Sequence, residues 1–286
     1  MSQLFRKFVI IGPGLIGGSV GMGVRAARLA ARVVGVGYRQ SSLDEALERG
    51  AIDEASLNAE EAAEEADFVL LCTRVGLFAE MAARVVPRLT AGAVISDVGS
   101  TKEAVTAAIE KVVAGSPVAF VGSHPLAGSE QRGVGAARAD LFRGSVCIVT
   151  PSAASTPEAE ARVEVLWRAL GATVCRMSPA QHDAVVAEIS HLPHLAAAAL
   201  VLCISEAAVP YAARGFRDMT RIAGGDPALW RDICATNRKH LIRALDQFGE
   251  RVRAVRDALA AGDDSVLQQF LEEARSRRER LPGTAV

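Results

Sequence analysis

The chain has 286 residues, of which 50% are hydrophobic and 23% charged, with a formal net charge of −1. That balance lacks the basic footprint that nucleic-acid binding needs. The longest apolar run, Leu195 to Ile204, is too short for a membrane span and reads as a buried helix, so neither a nucleic acid nor a membrane is expected as a partner.

The length leaves room for two domains. Cys72, Cys147, Cys175, Cys203 and Cys234 stand singly, without the spacing of a zinc site or a disulfide framework. They read as small core residues of a protein in a reducing, cytoplasmic compartment. Basic residues precede the first apolar stretch, but that stretch runs into a glycine turn and therefore reads as a strand, not a signal peptide.

The strand is Phe8 to Ile11, and the turn is Gly12-x-Gly14-x-x-Gly17. Gly12 permits a tight turn, Gly14 lets backbone approach a pyrophosphate, and Gly17 lets the next helix pack on the strand. That helix, read over Ser19 to Ala31, presents its N-terminus, with Leu15 and Ile16, to the phosphates. The pattern alone also fits a glycine-rich turn without a ligand; the flanking strand and helix favour a dinucleotide site.

The second strand, Arg32 to Tyr38, arrives about twenty residues later, where an acid normally holds the ribose of NAD. Instead the chain reads Tyr38, Arg39, Gln40 and Ser41, a cation with amide and hydroxyl donors suited to a ribose 2′-phosphate. NADP is thus expected over NAD, the competing reading being a solvated loop arginine.

Buried strands follow at Asp67 to Cys72, Ala93 to Asp97 and Val118 to Gly122, between helical stretches at 60–65, 78–89 and 101–113. Two more strands, Ser145 to Thr150 and Ala172 to Arg176, flank a helix over 158–170. This alternation predicts an α/β fold: an N-terminal Rossmann-like, doubly wound parallel sheet. Beyond Ser178 only helical runs remain, at 180–189, 195–208, 228–248 and 252–280, before a loose tail over 281–286. The predicted domains are a dinucleotide-binding domain, 1–177, and an all-helical substrate and dimerisation domain, 178–286.

Ligands bind such sheets at the carboxyl ends of the strands. Two polar loops lie there, Ser96 to Lys102 and Gly122 to Glu130. His124, in a glycine-bracketed loop, is placed to accept a proton near neutral pH. Ser100 and Thr101 are candidate N-caps of the next helix, with Lys102 in its first turn. For Ser100 a catalytic role is equally open.

Taken together, Gly12 to Ser19, Cys72-Thr-Arg-Val75, Asp97-Val-Gly-Ser-Thr-Lys102, His124-Pro-Leu-Ala-Gly-Ser-Glu130, Ser190-His-Leu-Pro-His194, Gly215 to Ala223 and Asp226 to Trp230 resemble the prephenate/arogenate (cyclohexadienyl) dehydrogenase family over nearly the whole chain. The resemblance implies NAD- or NADP-dependent oxidative decarboxylation of a cyclohexadienol in tyrosine biosynthesis, by a homodimer built through the helical domain. It makes His124 and Ser100 catalytic. It places Arg221 on a substrate carboxylate, His194 in the substrate pocket, Ser129 and Glu130 at its entrance, and Gly12, Gly14, Leu15, Ile16, Gly17, Tyr38, Arg39, Gln40, Ser41, Cys72 and Thr73 around the cofactor. Asp218, three residues before Arg221, is expected to orient its guanidinium; without the resemblance the two read as a surface pair. His191 shares a helical face with His194, but no third ligand accompanies them and no metal is expected.

The chain departs from the family at Arg39, where an acid is usual, and at Arg74, where proline is usual. It carries no recognisable mutase or regulatory segment, so feedback through an appended domain is not expected. Two other readings stay open at this level: a two-domain hydroxyacid or imine reductase, and a non-catalytic dinucleotide-sensing module.

Overall fold

The computed structural model describes residues 3–129 and 131–281. These resolve into two compact units, 1–238 and 239–286.

The first unit is built on β1 (Phe5–Ile11), α1 (Leu15–Ala26), β2 (Ala30–Val36), α2 (Gln40–Glu48), β3 (Glu54–Ser56), α3 (Ala59–Ala63), β4 (Phe68–Leu71), α4 (Phe78–Val85), β5 (Val94–Asp97), α5 (Glu103–Val113), β6 (Ala119–Pro125), β7 (Val146–Thr150), α6 (Pro157–Ala169) and β8 (Thr173–Arg176). The sheet runs β3-β2-β1-β4-β5-β6-β7-β8. Its strands read as continuous apolar runs because helices cover both faces. One core gathers Phe5, Phe8, Phe68 and Trp167 and the other Val69, Phe78, Ile95 and Phe120, on opposite sides of the strands. Phe8 and Phe68 stack at 4.8 Å across the β1–β4 pair. The order reverses between β1 and β4, which opens the ligand crevice there.

The sheet is not wholly parallel. β7 pairs antiparallel with β6, because the chain returns from Pro125 through a loop, not a crossover helix. β3 escapes the sequence pattern because Glu54-Ala-Ser56 has no apolar alternation. The helix after the glycine turn spans Leu15–Ala26, not 19–31; Arg28, at φ +53°, ends the alanine-rich run.

The unit continues with α7 (Pro179–Val186), a π-helical segment Ala187–His191, α8 (Leu192–Cys203), α9 (Arg214–Thr220) and α10 (Pro227–Thr236). Ser178 starts α7 with a capping box closed by Gln181. The run Pro179–Cys203 is long and apolar enough to cross a membrane by length and composition alone, yet it carries His182, Asp183 and His191, all buried in polar contacts within the unit. The expected buried helix over 195–204 is corrected: Leu200 and Val201 are exposed and Leu202 is 84% exposed. The cysteines also differ from expectation, since only Cys147 is buried and Cys203 is exposed.

The second unit holds α11 (Arg238–Ala261) and α12 (Asp264–Glu279). The runs expected at 228–248 and 252–280 are interrupted at Asn237 and at Gly262, whose φ of +66° suits glycine and reverses the chain. Asp263 then caps α12 through Val266 N–H.

Candidate active site

The glycine turn divides its labour as the spacing suggests. Gly12 has φ +95°, and a Cβ there would meet the Cys72 carbonyl oxygen at 3.0 Å, so the β1 and β4 loops touch. A Cβ on Gly17 would run into the Gly12 carbonyl and lie 2.9 Å from Ile10 Cγ2. At Gly14 a Cβ would meet nothing within 4 Å. The fold itself therefore does not require glycine at position 14; a pyrophosphate approaching the backbone does. Gly14 is also the N-cap of α1 and offers no side chain, which leaves the N–H groups of Leu15 and Ile16 to an anion. These residues fit a dinucleotide.

At the end of β2, Tyr38 is exposed and the Arg39 guanidinium lies 4.9 Å over its ring. Arg39 occupies the N-cap of α2 without capping it. Gln40 donates to Asp44 one turn on, at 2.7 Å, and Ser41 is exposed in the first turn. Cys72 closes β4, with its thiol pushed well up by burial and then by Asp97. Thr73 Oγ1 donates weakly to the Arg74 carbonyl at 3.4 Å. Arg74 lies 3.9 Å from Asp232 of α10, tying the loop after β4 to that helix.

The loop after β5 is held from below. Lys102 Nζ is fully buried, 2.6 Å from Asp97 Oδ2, and it also donates to the Gly99 carbonyl at 2.6 Å. A buried ammonium needs such partners. Asp97 further accepts from Gly99 N–H and Ser123 N–H. Helix α5 starts at Glu103, with Lys102 as its N-cap residue, so the capping role expected of Thr101 is corrected: its hydroxyl meets Thr236 Oγ1 at 2.9 Å. Ser100 sits half-buried on the loop that Lys102 pins.

His124 ends β6 in a buried position. Its Nδ1 lies 2.8 Å from His182 Nε2, and His182 Nδ1 lies 2.7 Å from Asp183 Oδ1. Asp183 in turn accepts from the backbone N–H groups of Lys102 and Glu103, at 2.7 and 2.9 Å. Its own carbonyl accepts from Asn237, whose Nδ2 is also 3.1 Å from His191 Nδ1. His191 stands edge-on to Trp230, and His194 stacks on Trp230 at 3.4 Å and 11°. One network thus joins the end of β6 to α7, α8 and α10.

Burial, then His182, Lys102 and His191, hold His124 well below the ordinary histidine range. Burial likewise lowers His182 and takes His191 to about 4. His124 is therefore held as the neutral imidazole at physiological pH, with one ring nitrogen unprotonated.

Arg221 is exposed in a short turn after α9, and Ser129 is exposed and accepts from Gln131 N–H. Asp218 pairs its carboxylate with Arg214 at 3.4 Å, one turn back on α9. Glu130 lies outside the described residues. Sequence reasoning missed His182, Asp183, Asn237 and the stacked Trp230. The polar pair His182-Asp183 one turn after a capping box was the available signal. Among the described residues no cluster of three potential metal ligands occurs.

Residues 20–176 match the family model "Prephenate dehydrogenase, nucleotide-binding domain", and residues 178–273 match "Prephenate dehydrogenase, dimerization domain". The chain belongs to the prephenate dehydrogenase family. It is 34% identical over 282 residues to the cyclohexadienyl dehydrogenase of Zymomonas mobilis, covering 96% of each chain. It is 33% identical over 293 residues to the prephenate dehydrogenase of Bacillus subtilis, covering 99% of this chain and 78% of the relative. Among solved structures, prephenate dehydrogenase from Aquifex aeolicus in complex with hydroxyphenyl propionate and NAD+ superposes with a TM-score of 0.90 at 29% identity, over 97% of this chain and 98% of that one.

Proposed function

We propose that the chain oxidises and decarboxylates prephenate, with arogenate as the alternative substrate, using NADP in preference to NAD. The observation that carries the reading is a buried His124 at the carboxyl end of β6, hydrogen-bonded to His182 in a network that reaches His191, which stands edge-on to the Trp230 ring stacked on His194. A reductase of the hydroxyacid or imine type is not favoured, since the two family models together span most of the chain. A sensing module would have no use for a base at that position.

A bound nicotinamide supplies the acceptor for the hydride that leaves the ring carbon bearing the hydroxyl. His124 takes the hydroxyl proton as that carbon becomes a carbonyl, with Ser100 holding the oxygen. Loss of the ring carboxylate as carbon dioxide sends its bonding pair through the ring to the oxygen. His124 then returns the proton, giving the phenol. Arg221 grips the substrate's side-chain carboxylate, for which a planar, bidentate cation is suited. His194 lines the pocket, and Ser129 and Glu130 its entrance.

The cofactor reading rests on Arg39, laid over Tyr38 beside the uncapped start of α2, where a 2′-phosphate would meet the guanidinium, the Ser41 hydroxyl and free N–H groups. The proposed substrate and dimerisation domain is 178–286. A homodimer is supported by the apolar surfaces of this domain and by the family model's description, and a cytoplasmic location belongs to the same proposal.

The test is nicotinamide reduction by the purified protein with prephenate and arogenate, each offered NADP and NAD. Turnover is expected, fastest with NADP, and Arg39→Asp should shift the preference toward NAD by about tenfold or more. Silence in all four combinations, with dinucleotide bound, would return the reductase reading to first place. Unchanged NADP affinity in Arg39→Asp would remove that residue from the phosphate.

A further inference from the structure

We infer that His182 and Asp183 are positioning residues that fix the tautomer of His124, leaving the lone pair on its Nε2. The inference rests on the assignment of His124 as the base. It follows from the direction in which the hydrogen bonds must run.

Both oxygens of Asp183 accept backbone N–H groups at the start of α5, Oδ1 from Lys102 and Oδ2 from Glu103. The carboxylate is thereby held as an acceptor at a helix N-terminus. His182 Nδ1, 2.7 Å from Oδ1, must then carry the hydrogen and donate it. A neutral imidazole has one donor and one acceptor nitrogen. His182 Nε2 is consequently the acceptor, and the only hydrogen that can fill its 2.8 Å contact with His124 is the one on His124 Nδ1. The bond pattern leaves His124 Nε2 unprotonated.

The opposite order fails at its end, because it would set a bare His182 Nδ1 lone pair against the carboxylate. A doubly protonated His182 would also reverse the last bond. The charged and titratable groups around the pair are Lys102, Asp97, Asp183 and His191; burial and the Lys102 ammonium oppose the cation more than Asp183 and Asp97 favour it. The logic matches the carboxylate that fixes an imidazole in a serine protease triad, here with a second imidazole interposed. Once His124 takes the hydroxyl proton, its Nδ1–H still donates to His182, and the Asp183 charge lies one ring further on. No proton needs to leave the pair for the cycle to close, since His124 Nε2 returns it to the phenol oxygen.

His182→Leu removes the acceptor at similar volume, whereas His182→Gln keeps an amide oxygen for His124 Nδ1–H. For His182→Leu, kcat should fall by roughly 100- to 1,000-fold with prephenate KM and dinucleotide affinity moving less than about threefold. His182→Gln should recover to within about tenfold of the parent. A His182→Leu enzyme with parental kcat, or two variants that lose kcat, KM and thermal stability alike, would overturn the inference. A second measurement needs neither variant nor turnover: nitrogen-15 histidine spectra of the wild-type protein, with only five histidines to assign. Nδ1–H tautomers at both His124 and His182 are expected, and an Nε2–H at either would overturn the assignment. If prephenate is not oxidised, the functional reading fails while these spectra still decide the tautomers.

Discussion

A histidine in water takes a proton near pH 6.5, yet His124, His182 and His191 are all packed away in a form that resists it. The cost falls on the acid side. Below about pH 6.5 the unfolded chain binds protons on these rings and the folded chain does not, so stability falls as pH drops toward the folded values, the one for His191 being about 4. Between those limits each such histidine contributes a slope approaching about 1.4 kcal/mol per pH unit. Chemical unfolding from pH 7 down to pH 5 should show stability declining by more than carboxylates alone explain, with the decline reduced in His191→Gln; a flat curve would contradict neutral burial. The same packing keeps His124 unprotonated at neutral pH, which is the form the proposed base requires.

At the scale of elements, the glycine turn makes separable demands on fold and ligand. Gly17→Ala drives a Cβ into the Gly12 carbonyl and Ile10, forcing α1 off β1. It should cost about 1–3 kcal/mol and weaken cofactor binding with it. Gly14→Ala meets only open space, so thermal stability should hold while dinucleotide affinity drops; equal affinity would show that no phosphate approaches there. Thermal melts with dinucleotide titration distinguish the two. Much of this region was legible, because parallel strands buried on both faces write themselves as apolar runs, as Phe8 to Ile11 and Phe68 to Leu71 do. The antiparallel β7 was not, since its direction is set by the 126–145 loop and not by the composition of Val146 to Thr150. Nor were the caps: Thr101 read as an N-cap with Lys102 in the first turn, but Lys102 takes the N-cap position with its ammonium on the buried Asp97, and Thr236 meets the Thr101 hydroxyl.

For the molecule as a whole, the sequence placed chemistry on the two sides of the crevice but could not show what links them. His124 and His194 were visible as motif residues, and Trp230 as the end of a motif with no role assigned; His182, Asp183 and Asn237 looked like ordinary helix content because the partners that join them lie far off in sequence. The exposed apolar residues are legible only in the fold. Leu200, Val201 and Leu202 on α8, and Ile242, Leu245, Phe248, Val252 and Leu259 along α11, are apolar and exposed, the kind of surface a partner subunit covers. Sedimentation at twice the 30.0 kDa chain mass is expected, and at the single mass the homodimer would be wrong. The central claim, that His124 is the base of an oxidative decarboxylation, is met most directly by comparing wild-type and His124→Asn protein for dinucleotide affinity and for prephenate turnover. Parental affinity with kcat reduced by roughly 100-fold or more is the expected result, and a variant that turns over prephenate at the parental rate would contradict it.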